Sequence, residues 1–312
     1  MISCTEFIPA YSELLKYLDD RYGYDEVQRF WEYLFAPTGK GIPLINFVKK
    51  DGLKGAYDYW AGALSEEAAD VVRYYNPKQG WIFSEMRYCP SKGRLLKLRE
   101  ELGVDPYPHY CDHCDYYRAA LEKAGLCWVR NHKDVDKAAC QSLVYDPKVF
   151  KGMMQFDEDT IVTEYRSLDL EYFHRDFHSS MNMGIDYLGT HYGSEVVREY
   201  LTQYATAVCR REIEAVKKGG LPALEAFILD TYRKEHAEDA VKTKLANGVL
   251  TVDVAYCPAV RHLRGTGRDV SAWFADTTSV VMEVIASEAG LQFSMDAYDP
   301  ATGAASYRFT EK

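Results

Sequence analysis

Apolar positions recur along the second half of the chain first with a helical and then with a strand period. The runs from about Leu170 to Leu188, Ser194 to Val216 and Leu221 to Leu245 place apolar residues every three or four positions, which predicts three amphipathic helices. Asn247-Gly248 breaks the pattern, and VLTVDVAY alternates as a half-buried strand. Cys257-Pro258 then opens a short helix, because proline is tolerated at the first helical position. A further helix is predicted from about Ala272 to Ala289, with Gly290 as its stop. LQFSMDAY and AASYRF close the series as a hairpin around Asp299-Pro300-Ala301-Thr302-Gly303.

The first half repeats this scheme. The segment from Val48 to Pro90 lies over the segment from Val216 to Pro258 without a gap for 43 residues, and eleven positions are identical. Average composition would give about three. Upstream, YLDDRYGYDEV from Tyr17 matches YLGTHYGSEVV from Tyr187. Downstream, KAGLCWV matches EAGLQFS, each followed by a second apolar run, QSLVY and ASYRF. In the first half GWIFSEMRY, Cys89-Pro90 and the hairpin LCWVRN/CQSLVY take the corresponding places. The expected fold class is therefore α+β: a tandem duplication of a unit with N-terminal helices followed by a small antiparallel sheet with a C-terminal hairpin. The expected boundaries are a first copy over 1–150, a connector over 151–169 and a second copy over 170–312. The apolar residues of KGMMQFDEDTIVTEYRSLD suggest a packed connector.

A length of 312 residues favours two domains over one core. A net charge of −10 without clustered Lys or Arg argues against nucleic acid. No stretch approaches the roughly 20 apolar residues of a membrane span. The opening MISCTEFIPAYSELLKYLDD lacks a basic stretch followed by an apolar run, so a cytoplasmic protein is expected. In that compartment the eight cysteines read as thiols, ligands or nucleophiles. No phosphate loop, dinucleotide fingerprint or serine elbow is present. A small-molecule substrate or ligand is the expected partner, and a homo-oligomer is left open.

Three places can carry chemistry. A cysteine before a helix-opening proline faces unpaired amides at the positive end of the helix, which can favour the thiolate. Cys257 has His262 five residues on, while Cys89 has Arg94 at the matching place. The plainer reading is a small apolar filler at a tight junction. The second place is Cys111-Asp-His113-Cys114, which with Cys89 could ligate zinc or iron, although a second spaced pair is missing. Cys111 and Cys114 align with Asp276 and Ser279, so a metal there would belong to the first copy alone; otherwise they are buried or helix-start thiols. The third is His174-Arg-Asp-Phe-His178, two imidazoles at i and i+4 that would share one helical face and could hold one metal. A helix surface also produces this spacing by chance.

The series HRDFHSSMNMGIDYLGTHYG, VAYCPAVRHLRGTG and WFADTTSVVMEVIASEAGLQFSMDAYDPATGAASYRF resembles the L-2-amino-thiazoline-4-carboxylic acid hydrolase-like family over about 170–312, with a fainter echo in the first half. The resemblance implies a bacterial enzyme that hydrolyses a carbon–nitrogen bond outside peptides, such as that of a cyclic amidine. Cys257 and the His174/His178 region are then the positions to test. In that reading Cys257 attacks as thiolate, His262 or His178 relays protons and helix-start amides stabilise charge. A metal-assisted variant uses His174 and His178 to activate water. The closing helix–Gly–hairpin is also similar to the 4-vinyl reductase type of small-molecule-binding domain, which implies a sensor or carrier without chemistry. A chemically inert scaffold is the third reading.

Overall fold

The structure, a computed structural model, describes residues 1–37, 42–166 and 172–311. The chain forms two compact units. A terminal unit joins residues 1–20 to 175–312, and a middle unit spans 21–174. The compact units thus divide the chain at other points than the repeat does, because the first twenty residues count with the second half.

The terminal unit holds most of α1 (Phe7–Tyr22), then α6 (Phe177–Tyr192), α7 (Ser194–Val208) and α8 (Arg210–Lys234). Its four-stranded antiparallel sheet has the order β6-β7-β9-β8, from β6 (Val241–Ala246), β7 (Val249–Val254), β8 (Leu291–Tyr298) and β9 (Ala305–Glu311). Helices α9 (Pro258–Gly265) and α10 (Asp276–Glu288) complete it. On α7 the buried residues Val197, Tyr200, Leu201, Tyr204, Ala205 and Val208 recur at helical spacing and form one stripe. Tyr200 is fully buried, and its hydroxyl donates to the Ala10 carbonyl of α1 at 2.8 Å, so its one polar atom is satisfied.

The middle unit holds α2 (Tyr24–Leu34), α3 (Leu44–Glu66), α4 (Pro90–Leu102) and α5 (Tyr117–Lys123). Its strands are β1 (Asp70–Asn76), β2 (Trp81–Tyr88), β3 (Cys127–Asp134), β4 (Ala139–Tyr145) and β5 (Ile161–Arg166), in the order β3-β4-β2-β1-β5. Leu44, Ile45, Val48, Ile82, Leu121 and Val144 form its core, and Trp60 stacks on Trp128 at 5.5 Å. The first four strands follow the same order as the sheet of the terminal unit. The kinks correspond too: α3 bends at Gly52 (φ 56°) and α8 at Gly220 (φ 62°), positions aligned by the repeat. The α+β class expected from the pattern is what the chain adopts.

Four local expectations are corrected. The break expected between Val216 and Leu221 falls instead at Cys209, where α7 gives way to α8. The helix predicted to Leu245 stops at Lys234, and 241–246 is strand β6; β1 is its unexpected counterpart in the first half. Asn247 and Gly248 both have positive φ, 53° and 71°, so Asn-Gly is the two-residue turn of a β6–β7 hairpin, not only a helix breaker. The helix predicted from about Leu170 begins at Phe177, and residues 167–171 lie outside those described. Part of the expected connector is strand β5, which pairs antiparallel with β1. Among the described residues no helix is long and apolar enough to cross a membrane.

Candidate functional site

Within the terminal unit a cavity of about 300 Å³ opens between the start of α6, the end of α8 and α9. His178, Glu235, His262, Arg175, Arg261 and Tyr256 line it. His178 enters from the first turn of α6, and Glu235 is the residue at which α8 ends. His262 and Arg261 lie on α9, which starts where the sequence places it, with Cys257 as N-cap and Pro258 at the first position.

Two histidines face carboxylates. His178 Nε2 and Glu235 Oε2 are 2.9 Å apart, with both residues almost fully buried, at 2% and 3% exposure. The Cys4 amide donates to the other oxygen, Oε1, at 2.6 Å. Burial alone would raise the Glu235 carboxyl, but the His178 charge and hydrogen bond, with help from Cys4 and Ser3, bring it down to about 2. His262 Nε2 lies 3.3 Å from Asp176 Oδ1, which also accepts the Ser179 hydroxyl at 2.8 Å. Burial opposes ionisation of Asp176, and the His262 and Ser179 hydrogen bonds outweigh it, so that carboxyl too is lowered. The two imidazole rings are 6.3 Å apart. Arg261 stacks on the Tyr256 ring at 3.1 Å, and the Tyr256 hydroxyl donates to Asp239 at 2.7 Å. The site therefore joins two oriented imidazoles to two guanidiniums, a set suited to proton transfer on an anionic molecule.

His178 and His262, expected to take part in chemistry, line this cavity together. Cys257 lies elsewhere. It is 7% exposed, its sulfur donates to the Met1 sulfur at 3.2 Å, and it borders a far smaller pocket with Tyr232, Tyr298 and Tyr307. The expected thiolate is also reversed: burial pushes the Cys257 thiol up, and the amides of Val260 and Ala259 do not compensate. Cys89 behaves likewise, with burial outweighing the Lys92 amide. His174 precedes α6, so the two histidines do not share a helical face; His174 Nδ1 instead lies 2.6 Å from Glu66 Oε2 within the middle unit. Among the described residues, Cys4, His178 and Glu235 are the trio whose ligand atoms fall within 4.8 Å of one another, the donor types a zinc ion takes. Cys111, His113 and Cys114 lie on a short 3₁₀ turn of the middle unit, with the Cys114 sulfur 3.4 Å from His113 Nε2. All eight cysteines are free thiols.

Glu235, Asp176 and Arg261 escape a reading of motifs. Glu235 does carry a signal, since Glu67 and Glu235 are one of the eleven identities of the repeat. Asp176 stands inside the His174–His178 segment, between the two residues that draw attention. The chain matches no family model, no curated protein and no solved structure.

Proposed function

We propose that the terminal unit is a small-molecule hydrolase that opens a non-peptide C–N bond, in a cyclic amidine or related group, of an anionic substrate. The observation that carries this reading is the pair of carboxylate-oriented imidazoles on one cavity wall beside Arg175 and Arg261. The guanidiniums bind the substrate's anionic group. His262, oriented by Asp176, takes a proton from water as its oxygen adds to the amidine carbon. The tetrahedral intermediate then collapses. His178, hydrogen-bonded to Glu235, gives a proton to the departing nitrogen as the C–N bond breaks; the hydroxyl proton of the intermediate leaves to solvent as its C=O forms, and both histidines return to their starting states by proton exchange with solvent. The resemblance to the thiazoline-carboxylate hydrolases agrees with an anionic cyclic amidine as substrate. Cys257 has no part in this scheme, because it borders a different pocket as a buried thiol.

The ligand trio favours one variant, in which a divalent ion among Cys4, His178 and Glu235 activates the water. The test is incubation with L-2-amino-thiazoline-4-carboxylate and related cyclic amidines, followed by mass spectrometry for the gain of one water. His262→Ala and His178→Ala should each lower kcat by about 10²–10⁴, the usual contribution of a positioned acid or base. A chelator that abolishes turnover selects the metal variant. Tight binding without turnover, or full activity in both histidine variants, overturns the hydrolase reading.

A further inference from the structure

Four thiols distant in sequence converge in the middle unit. Cys89 caps α4, and its amide donates to the Ala138 carbonyl at 2.7 Å, which lays this junction beside the start of β4. Cys140 is the second residue of β4 and stands opposite Met86 of β2. Cys111 and Cys114, a C-x-x-C pair, are fastened to the same sheet by Arg130 of β3. Arg130 Nη1 donates to the Cys111 carbonyl at 2.7 Å, and Nη2 lies 3.2 Å from Asp115. Arg130 is paired with Ser142, two residues from Cys140, so Arg130 and Cys140 share one sheet face.

The Cys89 thiol feels the other three, and Cys140 feels both members of the C-x-x-C pair. Burial raises the Cys89 thiol first, and Cys140, Cys114 and Cys111 raise it further. Burial likewise leads at Cys140, with Cys114 and Cys111 adding to it, and at Cys111, with Cys114 adding. Arg130, its side chain 4% exposed, stands among them as a cation that opposes the rise at Cys111, Cys114 and Cys140; Lys92, 8% exposed, does so at Cys111. Arg130 also hydrogen-bonds the Cys114 sulfur, so one buried guanidinium contacts both members of the C-x-x-C pair and shares a sheet face with Cys140.

The spacing is too wide for one zinc ion. A tetrahedral zinc with Zn–S bonds of about 2.3 Å holds its sulfurs only about 3.8 Å apart. No three of these four sulfurs lie within 4.8 Å of one another. An iron–sulfur cluster spreads its thiolates over several iron atoms and so takes a wider set. We propose that Cys89, Cys111, Cys114 and Cys140 ligate an iron–sulfur cluster in the middle unit. The aligned positions of the terminal unit keep only one of the four thiols: Cys257, Asp276 and Ser279 align with the first three, and Ala305 takes the place of Cys140, pairing with Val254 as Cys140 pairs with Met86.

The full chain, purified without oxygen and reconstituted with ferrous iron and sulfide, tests this. Iron and acid-labile sulfide should be retained in equal amounts after desalting, with visible sulfide-to-iron charge-transfer absorbance. Cys111→Ser and Cys140→Ser should lose both, while Cys127→Ser, which changes the remaining cysteine of the unit, keeps them. Hydrogen exchange of β3 and β4 reports whether each variant folds. Stoichiometric zinc without sulfide, no retained iron in the wild-type chain, or an undiminished cluster in folded Cys140→Ser overturns the proposal.

Discussion

Glu235→Gln removes one negative charge from the cavity wall and leaves the side chain's shape nearly unchanged. In the native chain the Glu235 carboxyl is lowered from 4.5 to about 2 although the residue is only 3% exposed. At about 1.36 kcal/mol per pKa unit, that displacement corresponds to roughly 3 kcal/mol of folding stability. Because the folded value is depressed, this contribution is complete above the unfolded value of 4.5 and fades as pH falls toward about 2. By the linkage relation it drops to about 1.4 kcal/mol at pH 3. Breaking the buried His178–Glu235 contact adds to the loss at neutral pH, in keeping with the ~3–5 kcal/mol measured when one partner of a buried pair is removed. Urea-dependent hydrogen exchange, read on peptides of α6 and α8, isolates this unit from the rest of the chain. The variant should lie about 3–5 kcal/mol below wild type at pH 7, with the gap narrowing by about 2 kcal/mol at pH 3. A gap under about 1 kcal/mol at pH 7, or one equal at both pH values, refutes the reasoning.

Arg175→Ala and Arg261→Ala should each raise KM for an anionic substrate about tenfold or more with a smaller change in kcat, the mark of lost substrate binding; steady-state kinetics separates the two. Cys257→Ala should leave turnover close to wild type in the same assay, whereas a thiol nucleophile would lose it entirely. Ala68 has φ at 56°, a left-handed conformation unfavourable for a side chain, so Ala68→Gly should raise the stability of the middle unit by about 1 kcal/mol in the urea experiment, read there on peptides of β1 and β2. A methyl group on Gly189 would fall 2.1 Å from the Trp273 ring, so Gly189→Ala should cost about 1–3 kcal/mol and shift the Trp273 near-ultraviolet circular dichroism.

Much of the architecture is legible along the chain because local chemistry and tertiary structure agree. The Cys257-Pro258 helix start, the turn at Asp299–Gly303 and the closing hairpin all follow from proline, glycine and alternation. Strand β6 escapes because its outward face, Lys242, Lys244 and neighbouring exposed residues, leaves too few apolar positions to separate a strand from a helix end. Only its pairing with β7 across Asn247-Gly248 decides the matter. The site is half legible. His178 and His262 stand out as imidazoles, but their spacing of 84 residues conceals that they face one cavity. Glu235 looks like a solvated charge at a helix end, and only the fold brings it to His178. Cys257 misleads for the opposite reason: its helix-start position is as expected, yet desolvation outweighs the amides that would favour its thiolate.

Hydrogen exchange of the full chain with and without saturating L-2-amino-thiazoline-4-carboxylate tests most directly whether this cavity is where small molecules bind. Protection should concentrate on peptides covering Arg175–His178, Glu235–Ala237 and Tyr256–Thr266, the segments that line it. Protection confined to the Tyr298–Tyr307 hairpin beside Cys257, or to the four-cysteine region of the middle unit, would contradict the account.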